Sequence, residues 1–282
     1  MPNLWVAIPD SALSDEQTKR DKSTKIAQFA RACAIFRTNR IYIYHDLLSQ
    51  FEGQDANLLR TILQYLDTPQ YLRKILYPRM HQLEYAGILH PIKAPHHKPL
   101  VEIKRVKSGD VRTGVIAKVK GQFFIEVGLG SLVPFDGQGH EGKKVNVKFT
   151  SPYPNLRAAE ATDQDIREYW GYEVKEVPSI TKLVSGLENT LTVYTSKKGS
   201  LFKNAEAKFI ERARNAQNLL VIFGSPKHGV HELVAKEGGS LKSSEFIVNM
   251  FPDQGTETVR LEEAVLGSLS IINSSLTSYR KQ

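Results

Sequence analysis

LLVIFGS, residues 219–225, decides the architecture. Its five leading apolar side chains leave no polar face, so the strand they form must be covered on both sides. That is the signature of an inner strand in a parallel sheet with helices over both faces. The run stops at Gly224. A second run, Phe246-Ile247-Val248, lies in a strand read over 245–251 and passes into NMFPDQGTETVRLEEAV, residues 249–265. In open α/β sheets, ligands bind beyond the carboxyl ends of the strands. Gly224 and Gly255 allow backbone to approach a ligand closely. Gln254, Thr256 and Thr258 add hydrogen-bonding groups, and exposed backbone at such ends can read the edge of an adenine. Turn and cap requirements would explain one loop of this kind; two at neighbouring strand ends point to a ligand site. Neither is a GxGxxG fingerprint or a GxxxxGK[ST] phosphate cradle, and no GxSxG elbow occurs.

The alternation of strand and helix extends outward in both directions. Strands are read at 4–8 and 40–44. Helices are read where Ile26, Phe29, Ala30, Cys33 and Phe36 share a face, and where Leu58, Ile62 and Leu66 align. In DTPQYLRK, residues 67–74, Asp67 or Thr68 caps a helix with Pro69 at its first position; Pro78 interrupts it and Gly87 closes it. On the C-terminal side a strand is read at 190–195. Phe202, Ala205, Phe209, Ala213 and Ala216 form one helix face, and Leu261, Ala264, Val265, Leu269 and Ile272 another. Between these halves the period changes to two. VEIKRVK (101–107), VIAKVKG (115–121), FFIEVG (123–128) and KVNVKFT (144–150) alternate apolar with polar. A compact β-barrel or small sandwich is therefore expected at 97–168, reached through the proline-rich linker PIKAPHHKP. The α/β domain is then discontinuous, 1–96 and 169–282.

Hydrophobic residues make up 41% of the 282 and charged residues 24%, ordinary for a globular chain with a real core. Cys33 is the only cysteine, which excludes an internal disulfide and a thiolate zinc site; on an apolar helix face it reads as a small core residue. No segment approaches the ~20 apolar residues of a membrane span, and a cytoplasmic protein is expected. The net charge is +8, and residues 91–120 hold eight Lys/Arg against two acids. That concentration favours a polyanion-binding surface over scattered solubilising charge, with nucleic acid the leading partner. Strand residues two apart share a face, so Arg105 with Lys107, and Lys118 with Lys120, are expected to project together, with Lys104 on the first of these segments. Phe123, Phe124 and Phe135 are stacking candidates, at least two of them core by default. His96 and His97 read as RNA-contacting or solvated. Asp163 and Asp165 read as an exposed acidic helix start, and no metal is expected.

The order DTPQYLRK…YPRM…GILHP, YWGYEV (169–174), VIFGSPKHGV (221–230), VNMFPDQGTETVRLEEAV (248–265) spans nearly the whole chain. In that combination it resembles the archaeal and eukaryotic RNA methyltransferase family of the SPOUT (SpoU–TrmD) class. The resemblance implies an α/β, mostly parallel sheet with a C-terminal deep trefoil knot, interrupted by an OB-like β-barrel that grips RNA through Lys104, Arg105, Lys107, Lys118 and Lys120. It implies S-adenosyl-L-methionine in the knot loops around Thr195, Gly224 and the segment Val248, Asn249, Met250, Gln254, Gly255 and Thr256. It also implies a homodimer and an RNA substrate, rRNA ahead of tRNA. The stretch at 225–240, polar and glycine-rich, departs from what the rest suggests.

A sulfonium methyl is already activated, so the protein must chiefly position the acceptor. Arg260 is the candidate for a substrate phosphate or electrostatic support, and Glu257 and Glu262 are candidate bases. Base N-methylation of a uridine-type nucleotide is slightly favoured over ribose 2′-O-methylation. The rivals are a non-catalytic RNA-binding or ribosome-assembly protein and a different nucleotide-using α/β enzyme.

Overall fold

A computed structural model describes residues 1–50, 54–99, 101–241 and 246–278. Glu245, where the sequence reading starts its last strand, lies outside them. The chain forms two compact units. One comprises Met1–Leu66, Gln82–Ile92 and the chain from Tyr172 onward; the other comprises Asp67–His81 and Lys93–Gly171.

The first unit is built on β1 (Asn3–Pro9), α1 (Lys19–Ile35), β2 (Thr38–Tyr44) and α2 (Gln54–Asp67). After the second unit it resumes with β8 (Glu173–Val177), α4 (Ile180–Ser185), β9 (Thr190–Leu201) and α5 (Phe202–Asn215), then β10 (Asn218–Ile222), α6 (Val230–Lys236), β11 (Phe246–Asn249) and α7 (Leu261–Ser278). Its strands form one parallel sheet in the order β11-β9-β10-β1-β2-β8. Leu219, Leu220, Val221 and Ile222 are each at most 1% exposed, as an unbroken apolar run requires. Alternate residues serve the two faces. Trp5, Ala7, Tyr42, Tyr44, Leu220 and Ile222 pack with Ile180 and Leu183 of α4 and Val230, Leu233 and Val234 of α6. Val6, Ile8, Ile41, Ile43 and Val221 are buried on the other side, where α1 packs on β2 and on α7. Thr18 caps α1 by accepting the Asp21 amide, 3.1 Å away. Cys33 is buried on α1 and free, and burial pushes its thiol far up; it is the core residue the sequence implied. No helix among the described residues is long and apolar enough to cross a membrane.

The second unit carries α3 (Gln70–Leu76) and the strands β3 (Val111–Val119), β4 (Gln122–Glu126), β5 (Val133–Pro134), β6 (Lys144–Ser151) and β7 (Arg157–Glu160). The strands pair antiparallel in the order β5-β4-β3-β6-β7. The two edges then meet: Phe135 bridges Ala158 in parallel, and the Asp136 amide donates to the Ala158 carbonyl at 2.8 Å. The sheet thus closes around Ile116, Ile125, Val127, Val133, Phe135, Val145, Val147 and Phe149.

Several sequence expectations need correction in this unit. Residues 101–107 are not a strand. Ile103–Arg105 is a 3-10 turn whose backbone bonds are local, Arg105 N to Glu102 O and Val106 N to Ile103 O; Val106 is buried in the core and Ile103 packs against it half-buried. Arg105 and Lys107 therefore do not share a strand face, and Arg105 lies 3.6 Å from Glu102. Lys120 is not in β3 either. It and Gly121 have φ of 48° and 84°, the two-residue hairpin turn that requires positive φ at both positions. Lys118 alone remains on the strand, with its ammonium 5.6 Å from the centre of the Phe123 ring. Arg112 is no surface charge: it is buried and donates to the carbonyls of Val127 and Pro99. His96 is buried too, its Nε2 2.7 Å from the Asp67 carbonyl oxygen, which removes it from any RNA surface. Asp165 ends a turn, accepting from the Thr162 amide and hydroxyl and pairing with Lys148, so it opens no helix. Pro69 stands one position before α3, and Gly87 falls inside a 3-10 turn, Ala86–Ile88.

Candidate active site

Three loops meet at the carboxyl edge of the parallel sheet, and the first lies where the sequence reading ended its strand at 195, although β9 resumes to Leu201. β9 pairs with β11 through Tyr194 opposite Ile247, then jumps to Ser200 opposite Val248. Residues 195–199, TSKKG, bulge out between those two registers. Thr195 donates its hydroxyl to the Ile222 carbonyl at 2.9 Å, tying the bulge to the end of β10. Asn249, at the end of β11, donates to the Lys197 carbonyl at 3.2 Å and accepts from the Phe251 amide at 2.9 Å. Lys197 reaches the Glu257 carbonyl at 3.4 Å, while the Gln254 amide donates to the carbonyls of Thr256 and Glu257. Thr195 and Asn249 thus act first as braces between loops, and Gln254 closes a turn within its own loop.

The glycines divide by role. A Cβ on Gly255 would meet nothing within 4 Å, so this position presents open backbone. A Cβ on Gly224 would stand 2.8 Å from the His228 carbonyl oxygen. Gly224 is therefore needed for the chain to fold back on itself, in a turn closed by Ser225 N to His228 O at 2.9 Å, and its space belongs to the protein. A Cβ on Gly199 would lie 2.7 Å from the Val248 carbonyl carbon and 2.8 Å from the Ile247 carbonyl. The two backbones approach there so closely that no side chain fits. Gly199 was missed by sequence reasoning, although a polar TSKKG inside an apolar strand was a visible signal.

Val248 and Met250 are buried, at 1% and 5%, so only their backbones can face a ligand. Thr256 and Glu257 are exposed. Arg260 and Glu262 are engaged elsewhere. Arg260 reaches Glu16 at 3.3 Å, and the Glu262 carboxylate faces Lys25 of α1 at 3.8 Å, with one oxygen buried and without a hydrogen bond. Lys25, only 3% exposed, also grips both Asp15 oxygens at 2.5 Å. Glu262 is thus part of a buried charge cluster that anchors the start of α7. Tyr44 donates its hydroxyl to the Phe223 carbonyl at 2.5 Å. Burial, then the nearby carboxylates of Asp46, Glu237 and Asp10, holds its phenol well above the ordinary value, so it stays a donor at working pH.

Open backbone beside Gly255, polar side chains at 254–257 and a floor of apolar strand ends suit a neutral, hydrogen-bonding ligand such as an adenosine. They supply no ring of charge for a polyphosphate. Among the described residues no cluster of His, Cys, Asp and Glu is arranged to hold a metal ion.

The same residues fall inside a family match. The model of a family described as "Putative RNA methyltransferase" covers residues 3–272. The chain belongs to that family. Within this RNA methyltransferase family, it is 30% identical over 97% of its length to the human 28S rRNA (uridine-N(3))-methyltransferase, covering 78% of that protein. It is 29% identical over 97% to the Drosophila melanogaster protein of the same name, of which it spans 62%. An uncharacterized protein of Haloarcula marismortui is 28% identical over 95% of the chain and 97% of its own length.

Proposed function

We propose that this chain transfers the methyl group of S-adenosyl-L-methionine to N3 of a uridine in ribosomal RNA. The observation that carries the reading is the set of three braced loops at the sheet's carboxyl edge, in a chain matched almost end to end by an RNA methyltransferase family. The printed activity of the human and fly relatives supplies the choice of N3 and of rRNA. The backbone at 253–256 would hold the adenosine, with the amides of Asn249 and Gln254 keeping the loops in place; bound there, the group supplies an activated methyl. Arg260, exposed just before α7, would have to exchange its ion pair with Glu16 for a substrate phosphate.

The finer class features belong to the same proposal. The close approach of Gly199 to Ile247 and Val248, beside the register shift between β9 and β11, is compatible with a SPOUT-type threaded knot, which rests on the class resemblance. In the second unit, a five-stranded antiparallel sheet closed by a parallel bridge between its third and fifth strands is the connectivity of an OB-like barrel. That barrel would form an RNA-binding insert within a discontinuous methyltransferase domain. Lys104, Arg105, Lys107, Lys118 and Lys120 are all exposed on this unit and would contact the RNA backbone. Phe124, opposite in parity to the core residues Phe123 and Ile125, is the aromatic best placed to stack on a base. A homodimer follows from the class resemblance; Leu266 on α7, 46% exposed, is the kind of apolar residue it would cover.

Calorimetry with S-adenosylmethionine, S-adenosylhomocysteine, NAD and ATP tests the cofactor half. Binding of the first two alone supports the reading. RNA affinity without any of the four would identify an assembly factor, and binding of NAD or ATP a different nucleotide enzyme.

A further inference from the structure

The carboxyl edge holds a second constellation that the cofactor loops do not use. Asp10 follows β1, and His45 and Asp46 follow β2. The His45 Nδ1 lies 2.6 Å from Asp10 Oδ2. The other Asp10 oxygen accepts the Asp46 amide at 3.0 Å. Asp46 in turn accepts the Ser11 hydroxyl at 2.5 Å and the Leu48 amide at 2.9 Å. Asp10 and Asp46 are 8% and 2% exposed, whereas the His45 side chain is 43% exposed. Among the described residues neither carboxylate forms an ion pair with a lysine or arginine. Two buried carboxylates held by neutral donors are costly unless they serve a nearby positive charge. The only group here that can acquire one is the imidazole.

The geometry fixes the tautomer. A carboxylate accepts only, so a neutral His45 donates from Nδ1 to Asp10 and leaves a lone pair on Nε2. β1 lies beside β10, with Phe223 N donating to the Ala7 carbonyl at 3.0 Å, and Tyr44 reaches across β1 to the Phe223 carbonyl. His45 therefore stands two strand spacings from the Gly224 backbone, roughly 10 Å. The end of β10 is the nearest of the three loops to His45, and a donor held at 253–256 beyond β11 must extend its methyl group across β9 and β10 toward it.

We propose that His45 is the catalytic base of this methyl transfer and Asp10 its positioning residue, an inference that rests on the uridine-N3 reading above. The uridine imide carries a proton on N3 that must leave for the nitrogen to be alkylated. His45 Nε2 takes that proton as the N3–carbon bond forms and the carbon–sulfur bond of the donor breaks. The donor leaves as a neutral thioether, and the ring becomes an imidazolium facing Asp10. Among the described residues, Asp46 and Glu237 also act on the neighbouring Tyr44, and Glu176 of the adjoining β8 is paired with Arg60. None of these is a competing cation within reach of the Nε2 face.

The test is single-turnover transfer of labelled methyl from S-adenosylmethionine to ribosomal RNA purified from cells lacking the protein, across pH 6 to 9. His45→Ala and His45→Gln should slow the step by about 10²–10⁴-fold, the usual contribution of a general base. Their S-adenosylhomocysteine affinity should stay within twofold of wild type. Added imidazole should restore part of the rate to His45→Ala, and the remaining rate should climb with hydroxide. Asp10→Asn, whose amide donates to Nδ1 and forces the proton onto Nε2, should lower kcat with little change in the KM for RNA. Folded His45 variants within threefold of wild type, or a slow His45→Ala that imidazole does not rescue, would overturn the proposal. A wild-type protein that binds no cofactor or methylates no ribosomal RNA would overturn the underlying reading, and is recognised before any variant is made.

Discussion

Gly199→Ala is the smallest change that challenges the close packing of β9 against β11. The new methyl carbon would stand 2.7 Å from the Val248 carbonyl carbon and 2.8 Å from the carbon and oxygen of Ile247. Carbon atoms rest about 3.5–4.0 Å apart, so the backbones must part by roughly 1 Å, and backbone cannot rotate aside as a side chain can. Parting them strains the pairing of Ser200 with Val248 and the Ser200 hydroxyl bond to the Ile247 carbonyl, 3.3 Å long. Overpacking of this kind costs about 1–3 kcal/mol, and the rigid partner puts this case near the top of the range. At about 2–4 °C per kcal/mol, Tm should fall by roughly 5–10 °C. The same shift moves Lys197 and Asn249, so S-adenosylhomocysteine affinity should drop at least tenfold. Thermal unfolding and calorimetry measure both. Gly255→Ala is the control: its Cβ meets nothing, and stability should stay within about 0.5 kcal/mol. A Gly199→Ala protein with wild-type Tm and affinity would refute the close backbone approach at Gly199.

Three other outcomes are expected. Lys25→Met strands Asp15 and Glu262 without their cation and should cost about 3 kcal/mol, the low end for a broken buried pair because Asp15 is 30% exposed; a urea midpoint close to wild type would show that the cluster does not anchor α7. On acidification the second unit should weaken in two stages. Burial, then neighbouring His96, lowers the His97 pKa to about 4, so the unfolded chain takes up a proton the fold refuses, and stability declines between 6.5 and about 4. Burial alone would raise Asp67, but hydrogen bonds and charge from His96 and Lys144 bring it down to about 2, so its contribution is complete above 3.8 and is lost toward about 2. His97→Gln should flatten the first stage alone in urea titrations, and an unchanged decline would assign it to another group. Replacing Lys104, Arg105, Lys107, Lys118 and Lys120 with glutamine should reduce the salt dependence of RNA binding by about 0.7 per lost phosphate contact while leaving cofactor affinity intact; an unaltered slope would place the RNA on the first unit.

What could be read in advance divides along physical lines. The parallel sheet was legible because burial on both faces leaves an unbroken apolar run, and Leu219 to Ile222 have no other explanation. The change of period also marked where the antiparallel strands lie, but not that Asp67–His81, with α3, belongs to the same compact unit. Residues 101–107 misled because alternation records which side chains are apolar, not whether a partner strand remains free; five strands already close that sheet, and the segment satisfies its amides locally. Lys120 was misplaced because Lys-Gly looks like the end of a strand until both residues prove to have positive φ. The bulge at 195–199 escaped because its bracing is long-range: Thr195 to Ile222 and Asn249 to Lys197 join residues far apart in sequence. Gly224 was singled out for ligand approach, whereas its Cβ space is filled by the chain's own turn. The Asp10–His45 pair left no local pattern, since its members follow different strands.

The central claim is N3 methylation of uridine in ribosomal RNA, and mass spectrometry of that RNA tests it most directly. Ribosomal RNA from cells lacking the protein would be incubated with purified protein and S-adenosylmethionine, digested to nucleosides and compared with the untreated RNA. The account predicts that 3-methyluridine, missing from the untreated RNA at one or a few positions, is restored by the wild-type protein. Restoration of a ribose-methylated nucleoside instead, or of none while cofactor and RNA both bind, would contradict it.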